Sequence, residues 1–266
     1  MKSGGFDTCA LCPRLCRPAC PVTSGGGREA AVPAALAGVL LDWSRGKVDA
    51  SRAAEAATLC TDCGACQRHC YLHRPLPELL REARAELLPA PAFEPLQPVQ
   101  GSGSALAIEA DERPMAAALE RRLGVPVRRW PTSDRLGVAA VEHSAWAPHA
   151  EAIRQRCVGA DVIIADGGVA QALVAAGVPF SWVQERVSGL PKGASSCRAP
   201  GDDRPAACCG AAGPLLAHHH DDAVRVAAFW MRRGGGALVA DARCREHFHR
   251  CGTDVRDPLD ALLEDS

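Results

Sequence analysis

Two short stretches of this chain each hold four cysteines. "CALCPRLCRPACP" carries Cys9, Cys12, Cys16 and Cys20, and "CTDCGACQRHCY" carries Cys60, Cys63, Cys66 and Cys70. No other feature constrains the fold as strongly, because whatever these thiols hold must be wrapped by the chain from several sides. A disulfide framework is the simplest alternative. Disulfide-dense domains are small and secreted, however, and this chain has 266 residues, of which 47 % are hydrophobic, enough to bury a core. The start, "MKSGGFDTCALCPRLC", has one lysine and no apolar stretch, so it does not read as a secretory signal. The expectation is a cytoplasmic chain whose fourteen cysteines are reduced, with metal binding the better account of them.

The balance of 30 basic and 31 acidic residues gives no electrostatic case for nucleic acid or an anionic membrane, and one Tyr and five Phe leave little to stack on bases. No run of 18 apolar residues occurs. The most apolar segment, "VIIADGGVAQALVAAGVPF" from Val162, is broken by Asp166, glycines and a proline and reads as strand, helix and strand.

The spacing pattern divides the chain. Residues 1–88 hold both cysteine runs among three expected helices: "PAALAGVLLDWSRGKVD" opened by Pro33, "SRAAEAATLC", and "PLPELLREARAELL" with Leu76, Leu79, Leu80, Ala83 and Leu87 on one face. Residues 89–104 carry four prolines and then Gly-Ser alternation, which reads as a linker. Residues 105–266 alternate strand and helix patterns, so a parallel sheet is expected. They also contain a weak internal repeat. Gly137 pairs with Gly210 and Asp166 with Asp241, at offsets of 73 and 75, and each copy (105–192 and 193–266) closes in a short strand and helix. The fold class is therefore α plus α/β: a helical N-terminal domain and a duplicated α/β domain.

A run of the form C-x2-C-x2-C-x3-C gives three thiolates to one [4Fe–4S] cube and its fourth to a neighbouring cube. Two such runs exchange fourth ligands. On this reading Cys9, Cys12, Cys16 and Cys70 hold one cube, and Cys60, Cys63, Cys66 and Cys20 hold the other. Gly64 allows backbone N–H groups to approach the sulfurs, and Arg14, Arg17 and Arg68 offset cluster charge. The chain departs from the pattern twice: three residues separate Cys12 from Cys16, and Tyr71 follows Cys70 where proline is usual. Neither removes a ligand. Zinc, the bland alternative, needs only two cysteines per knuckle. His69 and His73 read as surface residues beside a full thiol set.

A helical two-cluster ferredoxin followed by α/β repeats bearing "AACCGAAG" at 206–213 resembles the iron–sulfur subunits of heterodisulfide reductase and anaerobic glycerol-3-phosphate dehydrogenase, and is similar to those of glycolate and lactate oxidases. The resemblance implies a cysteine-rich CCG-type C-terminal domain in which a lone Cys, a Cys-Cys-Gly and a later Cys-x2-Cys hold a further iron–sulfur cluster, cubane or non-cubane. Here Cys208, Cys209 and Gly210 match the middle element. Cys244 matches the later one without its two-residue partner, and Asp241, His247 and Cys251 stand nearby. Cys197 is the candidate first ligand. The first repeat has Arg135-Leu136-Gly137 in place of Cys-Cys-Gly and Val169 in place of Cys244, and its Cys157 reads as a packing thiol. "AHHHDD" at 217–222 reads as a solvated helix start with Asp221 and Asp222 at its N-terminus.

No G-x-G-x-x-G follows a strand, so no nicotinamide or flavin site is expected, and hydride chemistry belongs to a partner subunit. Three functions follow: an electron-transfer subunit of a larger oxidoreductase complex, a thiol/disulfide reductase acting at the C-terminal cluster, and a non-redox zinc scaffold. The first is preferred. Quinone-linked chemistry would require a membrane-associated partner.

Overall fold

The computed structural model describes all residues except 1–4, 111–112, 133–135, 191–207, 235–241, 258 and 264–266. The described helices are, in chain order, α1 (Asp7–Ala10), α2 (Pro21–Gly26), α3 (Pro33–Ser44), α4 (Ala50–Thr58), α5 (Ala65–His69), α6 (Leu76–Leu87), α7 (Met115–Leu123), α8 (Val138–Glu142), α9 (Ala147–Cys157), α10 (Gly167–Ala176), α11 (Val183–Arg186), α12 (Leu215–His218), α13 (His220–Gly234), α14 (Ala242–Arg250) and α15 (Asp260–Leu263). The strands are β1 (Ala105–Glu109), β2 (Val127–Pro131), β3 (Asp161–Ile164) and β4 (Ser181–Trp182). The chain divides into two compact units, one comprising Met1–Pro91, Glu142–Ala145 and Arg204–Gly235, the other Ala92–Val141, Trp146–Asp203 and Gly236–Ser266.

Local chemistry sets the helices of the first unit. Pro33 opens α3, where its missing N–H would have been unpaired in any case. Asp49 caps α4 by accepting from the Arg52 N–H at 2.8 Å. The three expected helices are all present as α3, α4 and α6. They bury Leu36, Leu40 and Leu41, Ala53, Ala56 and Ala57, and Leu76, Leu80 and Ala83 in one core, with Leu79 and Leu87 packed at its margin. That core also takes Leu215 of α12 and Ala223 and Val226 of α13. The Cys-Cys-Gly segment and the helices after it, expected with the second α/β repeat, thus pack with the N-terminal helices. A side chain at Gly25 in α2 would meet the Val226 Cα at 3.1 Å, so glycine lets α13 come close.

The second unit is built on a four-stranded parallel sheet of order β2-β1-β3-β4. Alternate side chains of β1 feed two cores: Leu106 and Ile108 join Trp130, Ile153, Val162, Ile164 and Leu173, and Ala105 and Ala107 join Met115, Leu119, Ile163 and Val183. Burial on both faces is the condition under which parallel strands occur. The mixed class expected from the pattern, helical first and α/β later, is the class observed. The first repeat closes in β4 and α11 as expected. The second repeat closes in α15, but its expected strand does not form: residues 253–257 make only a single bridge, at Arg256.

Part of the expected linker is packed. Phe93, Leu96 and Val99 lie against the first of these cores, Trp130 Nε1 donates to the Gln97 carbonyl at 2.9 Å, and Gln100 pairs with Arg129. Gly137 has φ +73°, and a side chain there would collide with the Phe93 ring, so a glycine is required on both counts. Cys157 is buried in the same core, as a packing thiol should be.

Candidate metal centre

Left-handed turns shape the second cysteine run. Leu59 ends α4, then Asp62 at φ +51° and Gly64 at φ +68° reverse the chain between Cys60 and Cys66. Gly64 precedes α5, which carries Cys66, and Cys70 follows its end in an extended conformation. In the first run, Cys9 lies in α1, Arg14 turns the chain at φ +65°, and Cys20 stands just before α2, whose first residue is Pro21. The extra residue between Cys12 and Cys16 falls in this turn.

Cys9, Cys12, Cys16 and Cys70, together with Cys66, line a cavity of about 600 Å³. Cys20, Cys60, Cys63 and Cys66 line a second, narrower cavity. Cys66 borders both, so the two cavities adjoin. The described cysteines are all free thiols. Among the described residues, no three Cys, His, Asp or Glu side chains converge on the position of a single ion. The thiols line walls instead, and a four-iron cube needs its sulfurs spread in this way. Eight thiols in two groups of four around adjoining cavities fit a pair of such clusters.

The thiols are held close at an electrostatic cost. Burial pushes the Cys16 thiol up to about 11, with Cys12, Cys9 and Cys20 adding to the rise. Burial raises Cys63 to about 12, and Cys208 and Cys20 push the same way. Burial raises Cys66, helped by Cys63, Cys20 and Cys16. Burial also raises Cys9, against which Arg74 acts. Without metal, these groups remain protonated thiols at neutral pH. A cation that accepts the sulfurs as thiolates removes this conflict.

A buried charged chain stands behind Cys60. The Asp62 N–H donates to Cys60 Sγ at 3.3 Å, and the Cys60 thiol lies 3.6 Å from Asp62 Oδ1. Asp62 Oδ2 accepts from Arg84 Nη2. The other Arg84 donors go to the carbonyls of Glu142 at 2.7 Å and Ala57 at 2.9 Å. Arg84 is completely buried. The Glu142 carboxylate in turn accepts from the Gly213 N–H at 2.9 Å. This network was not expected from the sequence. A signal for it exists: Arg84 follows Leu80 by four and Leu76 by eight, which places it on the apolar face of α6.

The arginines within the runs act differently from one another. Arg68 donates to the Cys63 carbonyl at 2.8 Å and lies over Gly64. Arg17 pairs with Glu29 on the surface. Arg14 is exposed, as are His69 and His73. His69 nevertheless borders the larger cavity.

Of the C-terminal candidates, Cys208 and Cys209 lie in the first unit, and Cys208 is near enough to Cys63 to raise its thiol. Cys208 Sγ accepts from the Gly210 N–H and Cys209 Sγ from the Ala211 N–H, both at 3.4 Å, the contact seen between Asp62 and Cys60. Gly213 has φ +63°, and a side chain there would meet the Thr61 carbonyl carbon at 2.7 Å and the Cys60 oxygen at 2.8 Å. The Cys-Cys-Gly loop therefore rests directly on the second cysteine run. Cys244 lies buried in α14 of the second unit with His247, whose Nδ1 is 4.0 Å from Cys251 Sγ. Cys197 and Asp241 lie outside the described residues. The expected solvated helix start is only half so: Asp221 is exposed, but Asp222 is buried and paired with Arg28 at 2.7 Å and with Arg225, and His219 bonds the Thr58 hydroxyl at 2.9 Å.

Among the described residues, no helix is long and apolar enough to cross a membrane. No curated protein and no solved structure matches the chain. Residues 5–73 match the family of 4Fe-4S dicluster domains, which suggests an electron-transfer role for this N-terminal part of the chain.

Proposed function

We propose that this chain is an electron-transfer subunit of a larger oxidoreductase complex of the heterodisulfide reductase or quinone-linked dehydrogenase kind. Cys9, Cys12, Cys16 and Cys70 hold one [4Fe–4S] cluster, and Cys60, Cys63, Cys66 and Cys20 hold the other. The observation that carries the reading is the pair of adjoining cavities, each lined by one of these sets of four. When bound, such clusters accept and release single electrons without breaking bonds. The chain's own residues hold the thiolates at fixed separation, exclude water on the Cys60 side through Leu59, Leu76 and Leu80, and leave the Cys9 side open.

A third site at Cys208 and Cys209 extends the path. The place of Cys208 beside Cys63 supports the order first cluster, second cluster, Cys-Cys-Gly site. The same closeness favours a second reading, reduction of a disulfide or related thiol compound at that site. The open side carries exposed Leu11, Leu15, Tyr71 and Leu72, and Leu15, Tyr71 and Leu72 border the larger cavity. Clustered apolar exposure of this kind marks a contact surface, and it supports a flavin- or hydride-handling partner docking there.

Iron and acid-labile sulfide per chain, measured on anaerobically purified protein with EPR of both redox states, test the reading. Two clusters require about eight irons. The same count in the Cys208→Ser/Cys209→Ser variant means two clusters alone. A higher count that falls by about four in that variant means a third cluster. Zinc in place of iron rejects the electron-transfer function and leaves a scaffold.

A further inference from the structure

The two proposed clusters sit in unlike electrostatic surroundings. One-electron reduction takes a four-thiolate cube from a net charge of about −2 to about −3, with no bond formed or broken. A fixed negative charge nearby opposes that step and a positive one assists it, and both effects grow where water is excluded.

Beside Cys60 stands the Asp62 carboxylate, its side chain 1 % exposed. Arg84 binds its far oxygen while anchored to two backbone carbonyls, so the carboxylate is fixed in place. Asp62 Oδ1 lies 3.6 Å from Cys60 Sγ, whereas Arg84 binds the other carboxylate oxygen, so the carboxylate is the charge that faces the sulfur. Glu142 adds a second buried carboxylate to the same network. Beside Cys9 the sign is reversed. Arg74 lines the cavity of Cys9, Cys12, Cys16 and Cys70, and no carboxylate is among the described residues that line it.

We infer that Asp62, held by Arg84, sets the reduction potential of the cluster bound by Cys20, Cys60, Cys63 and Cys66 below that of its neighbour. The inference rests on the electron-transfer reading above. A single electron entering the pair then resides on the cluster bound by Cys9, Cys12, Cys16 and Cys70, next to the exposed apolar side. Asp62 and Arg84 are positioning residues and bind no iron.

The test is an anaerobic potentiometric titration of the full-length, iron-loaded protein with dithionite and mediators, followed by EPR. Wild type should show two midpoints. Asn and Gly both accept the left-handed backbone at position 62, so Asp62→Asn and Asp62→Gly keep the turn. Each should raise the lower midpoint by at least tenfold in the reduction equilibrium, about 59 mV for one electron, and leave the higher one in place. Arg84→Lys should leave both midpoints unchanged. Arg74→Gln should lower the higher midpoint and narrow the gap. Asp62 variants that keep their iron and shift neither midpoint, or shift both equally, overturn the inference. If neither Asp62 variant loads iron, Arg74→Gln decides, and an unchanged gap there overturns it. Wild-type protein without iron instead removes the electron-transfer reading beneath.

Discussion

Around Cys9, Cys12 and Cys16 the chain is open, with Leu11, Leu15 and a Tyr71 that is 93 % exposed, and Arg74 lines the cavity. Around Cys60 and Cys63 it is closed by Leu59, Leu76 and Leu80 and backed by a buried ion pair and the Cys-Cys-Gly loop. Eight cysteines in two similar runs thus sit in two dissimilar settings. Run spacing decides how many sulfurs surround a cavity. Elements distant in sequence decide how that cavity is charged and sealed. The network behind Cys60 draws on residues 57, 62, 84, 142 and 213, whereas the surface pair near Cys16 joins only Arg17 and Glu29.

The largest break in this contrast should come from Arg84→Met, which leaves the Asp62 carboxylate buried without its partner. Removing one member of a buried pair costs about 3–5 kcal/mol. Hydrogen exchange in α4 and α6 should accelerate accordingly, while amides of the four-stranded sheet keep their protection. Unchanged exchange in α6 would show that the pair contributes nothing.

Gly213→Ala comes next. It combines a left-handed backbone, which costs about 1–2 kcal/mol for a residue with a side chain, with overlap against Thr61 and Cys60. Gly27→Ala, with φ +68° and open space around it, should show only the backbone cost. A denaturant series on the two variants reads the difference. Equal losses would mean that the Cys-Cys-Gly loop can move off the second run.

A smaller, pH-dependent effect separates the metal-free from the loaded protein. Cys16 and Cys63 have thiols raised from 9.0 to about 11 and about 12. Their folded values lie above the unfolded one, so the stability they contribute is present below pH 9 and is lost as pH rises through the range 9–12. Metal-free protein should therefore unfold more readily at pH 10.5 than at pH 8. Metal binding must release these protons, so a chelator should strip the loaded protein more easily as pH falls. Thermal scans and chelator competition across pH check both signs.

The smallest effect is expected from Arg17→Ala. Its partner Glu29 is exposed, and salt screens such pairs. No measurable change in stability should follow. A clear loss would show that the first run is more tightly organised than its exposure indicates.

Much of the candidate centre was legible in the chain. The gaps between cysteines are local, and they marked the eight thiols that line the two cavities, with Cys66 on both. Pro33, Asp49 and the leucine spacing of α6 act over one or two helical turns, so those helices could be read directly. The alternating strand and helix patterns gave the parallel sheet for the same reason. Phe93 and Leu96 were less legible: their prolines signalled a linker, but burial against Trp130 and its neighbours outweighed that local preference.

What the sequence determined by itself is the set of elements and the thiol spacing, because hydrogen bonding, capping and period act between near neighbours. Only the tertiary structure decided where the apolar faces would be buried. Helix α13 has an apolar stripe that any core could take, and it packed on α2 because Gly25 allows close approach there. Arg84 shows the same limit. Its place on the buried face of α6 can be counted, but its stability there depends on Asp62 and on the carbonyls of residues 57 and 142, which only the folded chain brings together.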